Sequence, residues 1–201
     1  MQQKKVSLIL LSGGKSTRMG MPKAWVKLYN KSSFAEQILS CYNTFGLQKQ
    51  VLVLNKTHQN KAEEAKLKHF FSPLHIIYNS QTEKGRLYSI KIGLEHINTD
   101  LCFIHNIDQP IVKKGTLEAL LNQSSYGDVI IPTYHEKGGH PILIGKNIIN
   151  ELKAQYKNYA SLKELLNQFK KTYVAVYSNE ILTNINTPNE LIQHLNTANV
   201  Y

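Results

Sequence analysis

Arginine and aspartate are scarce in this chain. Among 24 lysines and arginines in 201 residues, only Arg18 and Arg86 are arginines. Among 14 acids, only Asp100, Asp108 and Asp128 are aspartates. Chemistry that needs a guanidinium fork or a compact carboxylate therefore has few places to happen. Cysteine is limited to Cys41 and Cys102, which match no metal-ligand spacing and build no disulfide framework. A reducing cytoplasm is the expected compartment. No apolar run approaches the ~20 residues of a membrane span. The run Val6–Leu11 after the basic start is short and lacks a cleavage site, so it reads as a strand rather than a signal peptide.

What is present is a chain that is 42% hydrophobic, which excludes disorder, with a formal charge of +10. Its length fits one domain, residues 1–201, able to bury a core without staples. The charge raises the possibility of a nucleic-acid-binding module. The lysines, however, are scattered without a dense run, and no common nucleic-acid motif occurs. Neither nucleic acid nor membrane is an expected partner.

Short apolar runs alternate with helical spacing. Strands are predicted at Val6–Leu11, Val51–Leu54, Leu74–Tyr78 and Leu101–His105, with helical stripes at residues 34–45, 59–70, 87–97 and 115–121. Strands at Val129–Pro132 and Pro141–Ile144 flank the turn-rich segment His135–Gly139. Helices at Asn147–Leu152 and Ser161–Phe169, a strand at Tyr173–Val176 and a helix from Asn189 follow. The β-α-β-α order of the first half implies a parallel sheet with helices on both faces. Ligands in such sheets bind beyond the carboxyl ends of the strands.

The most specific feature is Leu11-Ser12-Gly13-Gly14-Lys15-Ser16-Thr17-Arg18-Met19-Gly20-Met21-Pro22-Lys23. Two glycines after a strand let the backbone approach a ligand, and successive N–H groups can line an anion site. Lys15, Arg18 and Lys23 add cations. The spacing excludes a Walker A loop, which would need glycine at position 9, where Ile9 stands. It excludes a dinucleotide fingerprint as well. Downstream, Asn55 and Asn79 end two strands, where they suit base or ribose recognition or simply turn chemistry. Gly85 and Ser89 open a helix that can face an anion. Asp108, in Asn106-Ile107-Asp108-Gln109-Pro110 at a strand tip, is placed to hold Mg²⁺. Asp100 and Asp128 sit in turns and read as structural. His135 and His140 lack a third metal ligand, so a turn is the expected role of their segment.

Leu11–Lys23 resembles the signature of the nucleotidyltransferases that attach a nucleotide to molybdopterin. The segment Asn79–Gly93, Asp108-Gln109-Pro110, Gly139-His140-Pro141 and Asn184-Ile185-Asn186-Thr187-Pro188 are similar to further motifs of that family, in the same order. The resemblance implies a Rossmann-like three-layer α/β/α nucleotidyltransferase fold, glycosyltransferase-A-like, with a mostly parallel sheet. It implies transfer of NMP from an NTP, CTP ahead of GTP, to a phosphate-bearing acceptor such as molybdopterin, with release of pyrophosphate and Mg²⁺ or Mn²⁺ as cofactor. Leu11, Ser12, Gly13, Gly14, Lys15, Asn55, Asn79 and Ser89 then hold the nucleotide, while Arg18 and Lys23 hold the triphosphate and are catalytic with Asp108. Asp108, Asn184 and Asn186 become metal ligands, although relatives carry carboxylates where the two asparagines stand. Arg86, a departure from the small or apolar residue expected there, falls with His140 on the acceptor side. A molybdoenzyme or its chaperone would be the protein partner. A sugar-1-phosphate acceptor, or a homologue that binds nucleotide without turnover, would also suit these residues.

Overall fold

The computed structural model describes residues 4–28 and 31–198. Residues 1–3 of the basic start lie outside the described residues. The described strands form one eight-stranded sheet. β1 (Val6–Ser12) lies between β2 (Lys49–Asn55) and β4 (Leu101–Asn106), and β3 (Leu74–Asn79) flanks β2, all parallel. β7 (Ile142–Gly145) runs antiparallel to β4, and β5 (Val129–Tyr134) antiparallel to β7. β5 also pairs with β6 (Lys137–Gly138) in a hairpin and with β8 (Lys171–Ala175) in parallel. The sheet is thus mixed but mostly parallel.

Strand alternation divides the core into two layers. Leu8, Leu10, Leu52, Leu54 and Phe103 face one side, where α1 (Phe34–Asn43) and α4 (Lys114–Asn122) pack. Leu67 of α2 (Lys61–Phe70) and Leu191 of α7 (Pro188–Ala198) pack on that side too. Ile9, Leu11, Val51, Val53, Cys102 and Ile104 face the other, against α3 (Gly85–Leu94), α5 (Lys146–Gln155) and α6 (Leu162–Leu166). Because strands with two buried faces need apolar residues at successive positions, the central segments read as continuous hydrophobic runs. Gly93 sits where a Cβ would meet Val53 Cγ2 at 3.0 Å and Ile9 Cδ1 at 3.2 Å, so its lack of a side chain lets α3 lie close on the sheet.

Two sequence expectations change. The segment His135–Gly139 contains β6, and His135 and Glu136 form the two-residue turn of the hairpin in left-handed backbone (φ 45° and 64°). Two positive φ values are what a type I′ turn requires, a conformation usually given to Asn and Gly. The helix predicted over 161–169 ends at Leu166, because the chain must turn to place β8 beside β5. Asp100 and Asp128 are structural as expected: Asp100 accepts from the Lys5 amide, and Asp128 from Asn147 Nδ2 and the Lys170 amide.

The chain moves outward from β1 to β2 and β3, then returns to β4 on the opposite side of β1. A crevice therefore opens beyond the carboxyl ends of β1 and β4.

Candidate active site

The crevice is a cleft of about 410 Å³. Its walls are the loop after β1 (Leu11–Gly14, Ser16 and Lys23), the start of α3 (Gly85, Arg86 and Ser89) and the tip of β4 (Asn106–Asp108). Three sequence-distant segments meet there because β1 and β4 are neighbours and α3, which packs over β1 and β2, starts at the carboxyl ends of the strands.

Gly13 is the tightest point of the loop. A Cβ there would lie 2.7 Å from Ser89 Oγ and 3.5 Å from Asn79 Nδ2. Asn79 Nδ2 donates to Ser89 Oγ (3.0 Å), and its Oδ1 accepts from the Gln81 amide (2.7 Å). Asn55 Nδ2 donates to the Gly14 carbonyl (3.3 Å), while its Oδ1 accepts from Thr57 N and Oγ1. Both asparagines are buried and close local turns. Of the two roles anticipated for them, the structure shows the turn chemistry, and Asn55 also braces the glycine loop at Gly14. Ser12 Oγ is buried without a hydrogen-bond partner.

The cations gather around one amide. Arg18 Nη2 donates to Asn186 Oδ1 (3.1 Å), and Lys23 Nζ donates to the same oxygen (2.8 Å). Lys23 Nζ also lies 3.7 Å from Asp108 Oδ2. Burial draws the Lys23 pKa down, opposed by the Asp108 carboxylate and reinforced by Arg18. Ser16, left-handed at φ 54°, accepts from the Lys23 amide through Oγ (3.4 Å). Sequence reasoning gave Ser16 no role. Lys15 is exposed on the loop. Asn184 is not brought to this cleft: it is exposed, donates to the Leu182 carbonyl (3.3 Å) and lines a separate depression with Glu180 and His194.

Asp108 Oδ1 is buried without a hydrogen-bond partner, while Oδ2 faces Lys23. An orphaned carboxylate oxygen in a cleft is a donor that a hard divalent cation fits. Among the described residues no three His, Cys, Asp or Glu side chains cluster as a metal cage. Such an ion would share Asp108 with phosphate oxygens of a ligand.

The aspartate loop is anchored in the core. His105 Nε2 lies 2.9 Å from the Gln109 carbonyl, which can only accept, so the proton is on Nε2 and Nδ1 accepts from Tyr42 OH (3.0 Å). Full burial lowers the His105 pKa to about 4. Gln109 Nε2 reaches the Ile181 carbonyl (3.1 Å), and the Ile185 amide donates to the Asp108 carbonyl (2.7 Å). His105 went unnoticed in the sequence, where a polar residue in phase with Leu101 and Phe103 was the available signal.

Arg86 and His140, predicted together on the acceptor side, are in contact. Arg86 Nη2 can only donate, so His140 Nε2, 3.0 Å away, accepts. Burial first, and then the Arg86 charge, lower the His140 pKa to about 3. Both residues line a second depression of about 750 Å³, with Ile131, Ile142, Leu166 and Tyr173 as apolar walls. Arg86 thus stands between this depression and the cleft. Gly139 shapes the boundary: a Cβ there would lie 2.3 Å from the Ile181 carbonyl oxygen.

A glycine-rich cationic loop after the first strand, facing a strand-tip aspartate across the switch point of a parallel sheet, defines a nucleotidyltransferase. A model of the MobA-like NTP transferase domain matches residues 8–173, and the chain belongs to that family. It is 31% identical over 199 residues to the probable molybdenum cofactor guanylyltransferase of Bacillus cereus (strain ATCC 10987), covering 92% of this chain and 93% of that one. It is 23% identical over 197 residues to the molybdenum cofactor cytidylyltransferase of Escherichia coli, covering 93% and 94%. Among solved structures, molybdopterin-guanine dinucleotide biosynthesis protein A of Archaeoglobus fulgidus superposes with a TM-score of 0.70 at 24% identity, covering 97% of this chain and all of that one. The 4-diphosphocytidyl-2C-methyl-D-erythritol synthase of Anaerococcus prevotii superposes at 0.77 with 15% identity, covering 98% and 99%. These two show the fold. Among the described residues no helix is long and apolar enough to cross a membrane.

Proposed function

We propose that this nucleotidyltransferase moves a cytidylyl group from CTP, in preference to GTP, onto the terminal phosphate of molybdopterin or its metal-loaded form, releasing pyrophosphate. The observation that carries the reading is the cleft with Lys23 and Asp108 opening at Arg86 onto a larger, partly apolar depression. A nucleoside triphosphate suits the first, and a planar acceptor bearing a phosphate suits the second. The relatives' names supply the acceptor, and the segments Asn79–Gly93 and Gly139-His140-Pro141 favour the cytidylyl branch.

A phosphate monoester, with its second pKa near ~6, is mostly dianionic at neutral pH and needs no general base. Catalysis then reduces to positioning and charge neutralisation. The loop at Gly13 and Gly14 cradles the triphosphate. Arg18 and Lys23 take charge on the β- and γ-phosphates, the part that departs. Arg86, held by neutral His140, orients the acceptor phosphate toward the α-phosphorus. Asp108 would hold Mg²⁺, which supplies Lewis-acid neutralisation of phosphate oxygens when bound.

The test is pyrophosphate release with each NTP, Mg²⁺ and molybdenum-loaded pterin, with a sugar-1-phosphate as the competing acceptor. CTP with the pterin gives the highest rate, and Asp108→Ala abolishes it. Full activity in Asp108→Ala refutes the metal assignment, and release with the sugar phosphate alone refutes the acceptor.

A further inference from the structure

Asn186 lies on the segment between β8 and α7, about 160 residues downstream of the glycine loop, yet its side-chain oxygen is the meeting point of that loop's two cations. Arg18 Nη2 and Lys23 Nζ both donate to Oδ1, at 3.1 and 2.8 Å, which holds the two charged nitrogens within about 6 Å of each other. Like charges at that spacing repel, and without a ligand something must hold them. The holder is itself fixed. The Asn186 amide donates to Glu190 Oε2 (2.6 Å), which also accepts from the Thr187 amide (3.0 Å), and Thr187 Oγ1 accepts from the Glu190 amide (3.2 Å). This reciprocal cap at the start of α7 sets the Asn186 backbone. The Ile185 amide, bonded to the Asp108 carbonyl, ties the same segment to the aspartate loop.

The chemical type of the holder matters. An amide oxygen accepts from two cations without cancelling either, so both charges remain available to an incoming polyphosphate. A carboxylate in the same place would form an ion pair with them, and a phosphate would then compete against a permanent anion. The oxygen expected to ligate metal accepts from both cations in this structure.

We infer that Asn186 is a positioning residue: it pre-arranges Arg18 and Lys23 as a triphosphate clamp, and it does so because it is neutral. The inference rests on the nucleotidyltransferase reading, in which those two cations receive the triphosphate. It makes polyphosphate affinity depend on Asn186 even when no divalent ion is present.

The experiment is calorimetric titration of the full chain with inorganic tripolyphosphate in EDTA, for the parent, Asn186→Ala and Asn186→Asp. Asn186→Ala loses the shared acceptor and binds roughly tenfold more weakly, the worth of one charge-assisted hydrogen bond. Asn186→Asp, nearly isosteric, also binds roughly tenfold or more weakly, and it raises KM for NTP more than it lowers kcat in the Mg²⁺ assay. Thermal melting confirms that both variants fold. Metal-free affinities equal to the parent's overturn the inference, as does tighter metal-free binding in Asn186→Asp, since the neutrality of the holder would then not matter. A parent that does not bind tripolyphosphate also overturns it. Tripolyphosphate binding with these losses but no transfer to the pterin counts against the acceptor reading alone.

Discussion

Replacing Gly13 by alanine tests whether the glycine loop is seated by packing against α3. The new Cβ would lie 2.7 Å from Ser89 Oγ, well inside contact distance, and 3.5 Å from Ser89 Cβ, an ordinary contact. The overlap therefore involves the hydroxyl alone. Ser89 is buried, so it relieves the clash by rotating away from Asn79 Nδ2, to which its Oγ is bonded at 3.0 Å. A buried amide left without its acceptor costs about 1–3 kcal/mol. For a chain of this size that lowers Tm by about 3–10 °C. Nucleotide affinity falls as well, because Gly13 and Ser89 both line the cleft. Ser89→Ala removes the same hydroxyl and hydrogen bond, so in the Ser89→Ala background the Gly13→Ala change meets only an ordinary methyl contact. The double variant is then about as stable as Ser89→Ala alone, a coupling of about 1–3 kcal/mol between the two sites. Urea denaturation of the four proteins measures it. Additive losses refute the reasoning, since they would mean that the methyl strains something other than Ser89.

Two other perturbations follow from the same geometry. Gly139→Ala places a Cβ 2.3 Å from the Ile181 carbonyl oxygen, a backbone atom that also accepts from the His140 amide and Gln109 Nε2, so nothing can rotate aside. A destabilisation of at least about 3 kcal/mol is expected by urea denaturation, and it is not rescued by shortening Ile181. His105 carries a pH dependence. Its pKa is lowered to about 4 by burial, so the folded protein binds fewer protons than the unfolded chain below about pH 6.5. Its contribution is complete above that pH and is lost as pH falls toward 4, roughly 3 kcal/mol across the window. In urea unfolding as a function of pH, His105→Gln has a shallower slope between those values, and an unchanged slope refutes the assignment.

The order of elements was legible in the sequence because strands buried on both faces leave long apolar runs, and because glycines, prolines and asparagines mark their ends. The glycine loop, Arg18, Lys23 and Asp108 were legible for a related reason: scarce residue types at a strand's carboxyl end have few structural uses. Asn186 was recognised by position, but its partners were not, since the hydrogen bonds to Arg18 and Lys23 span more than 160 residues. Asn184 and Asn186 are two residues apart in sequence, yet only Asn186 reaches Lys23 on the wall of the cleft, because the intervening Ile185 is bonded to the Asp108 loop and buried in the core.

The sequence by itself determined the sheet's core strands, the turn-forming asparagines and the glycine-rich cationic loop after the first strand. These follow from local periodicity and from the conformational limits of single residues. Only the tertiary structure decided which cation meets which acceptor, why Gly13, Gly93 and Gly139 admit no side chain, and that Arg86 stands between two depressions. Those depend on distances between segments far apart in the chain, set by the return of the chain from β3 to β4 across β1.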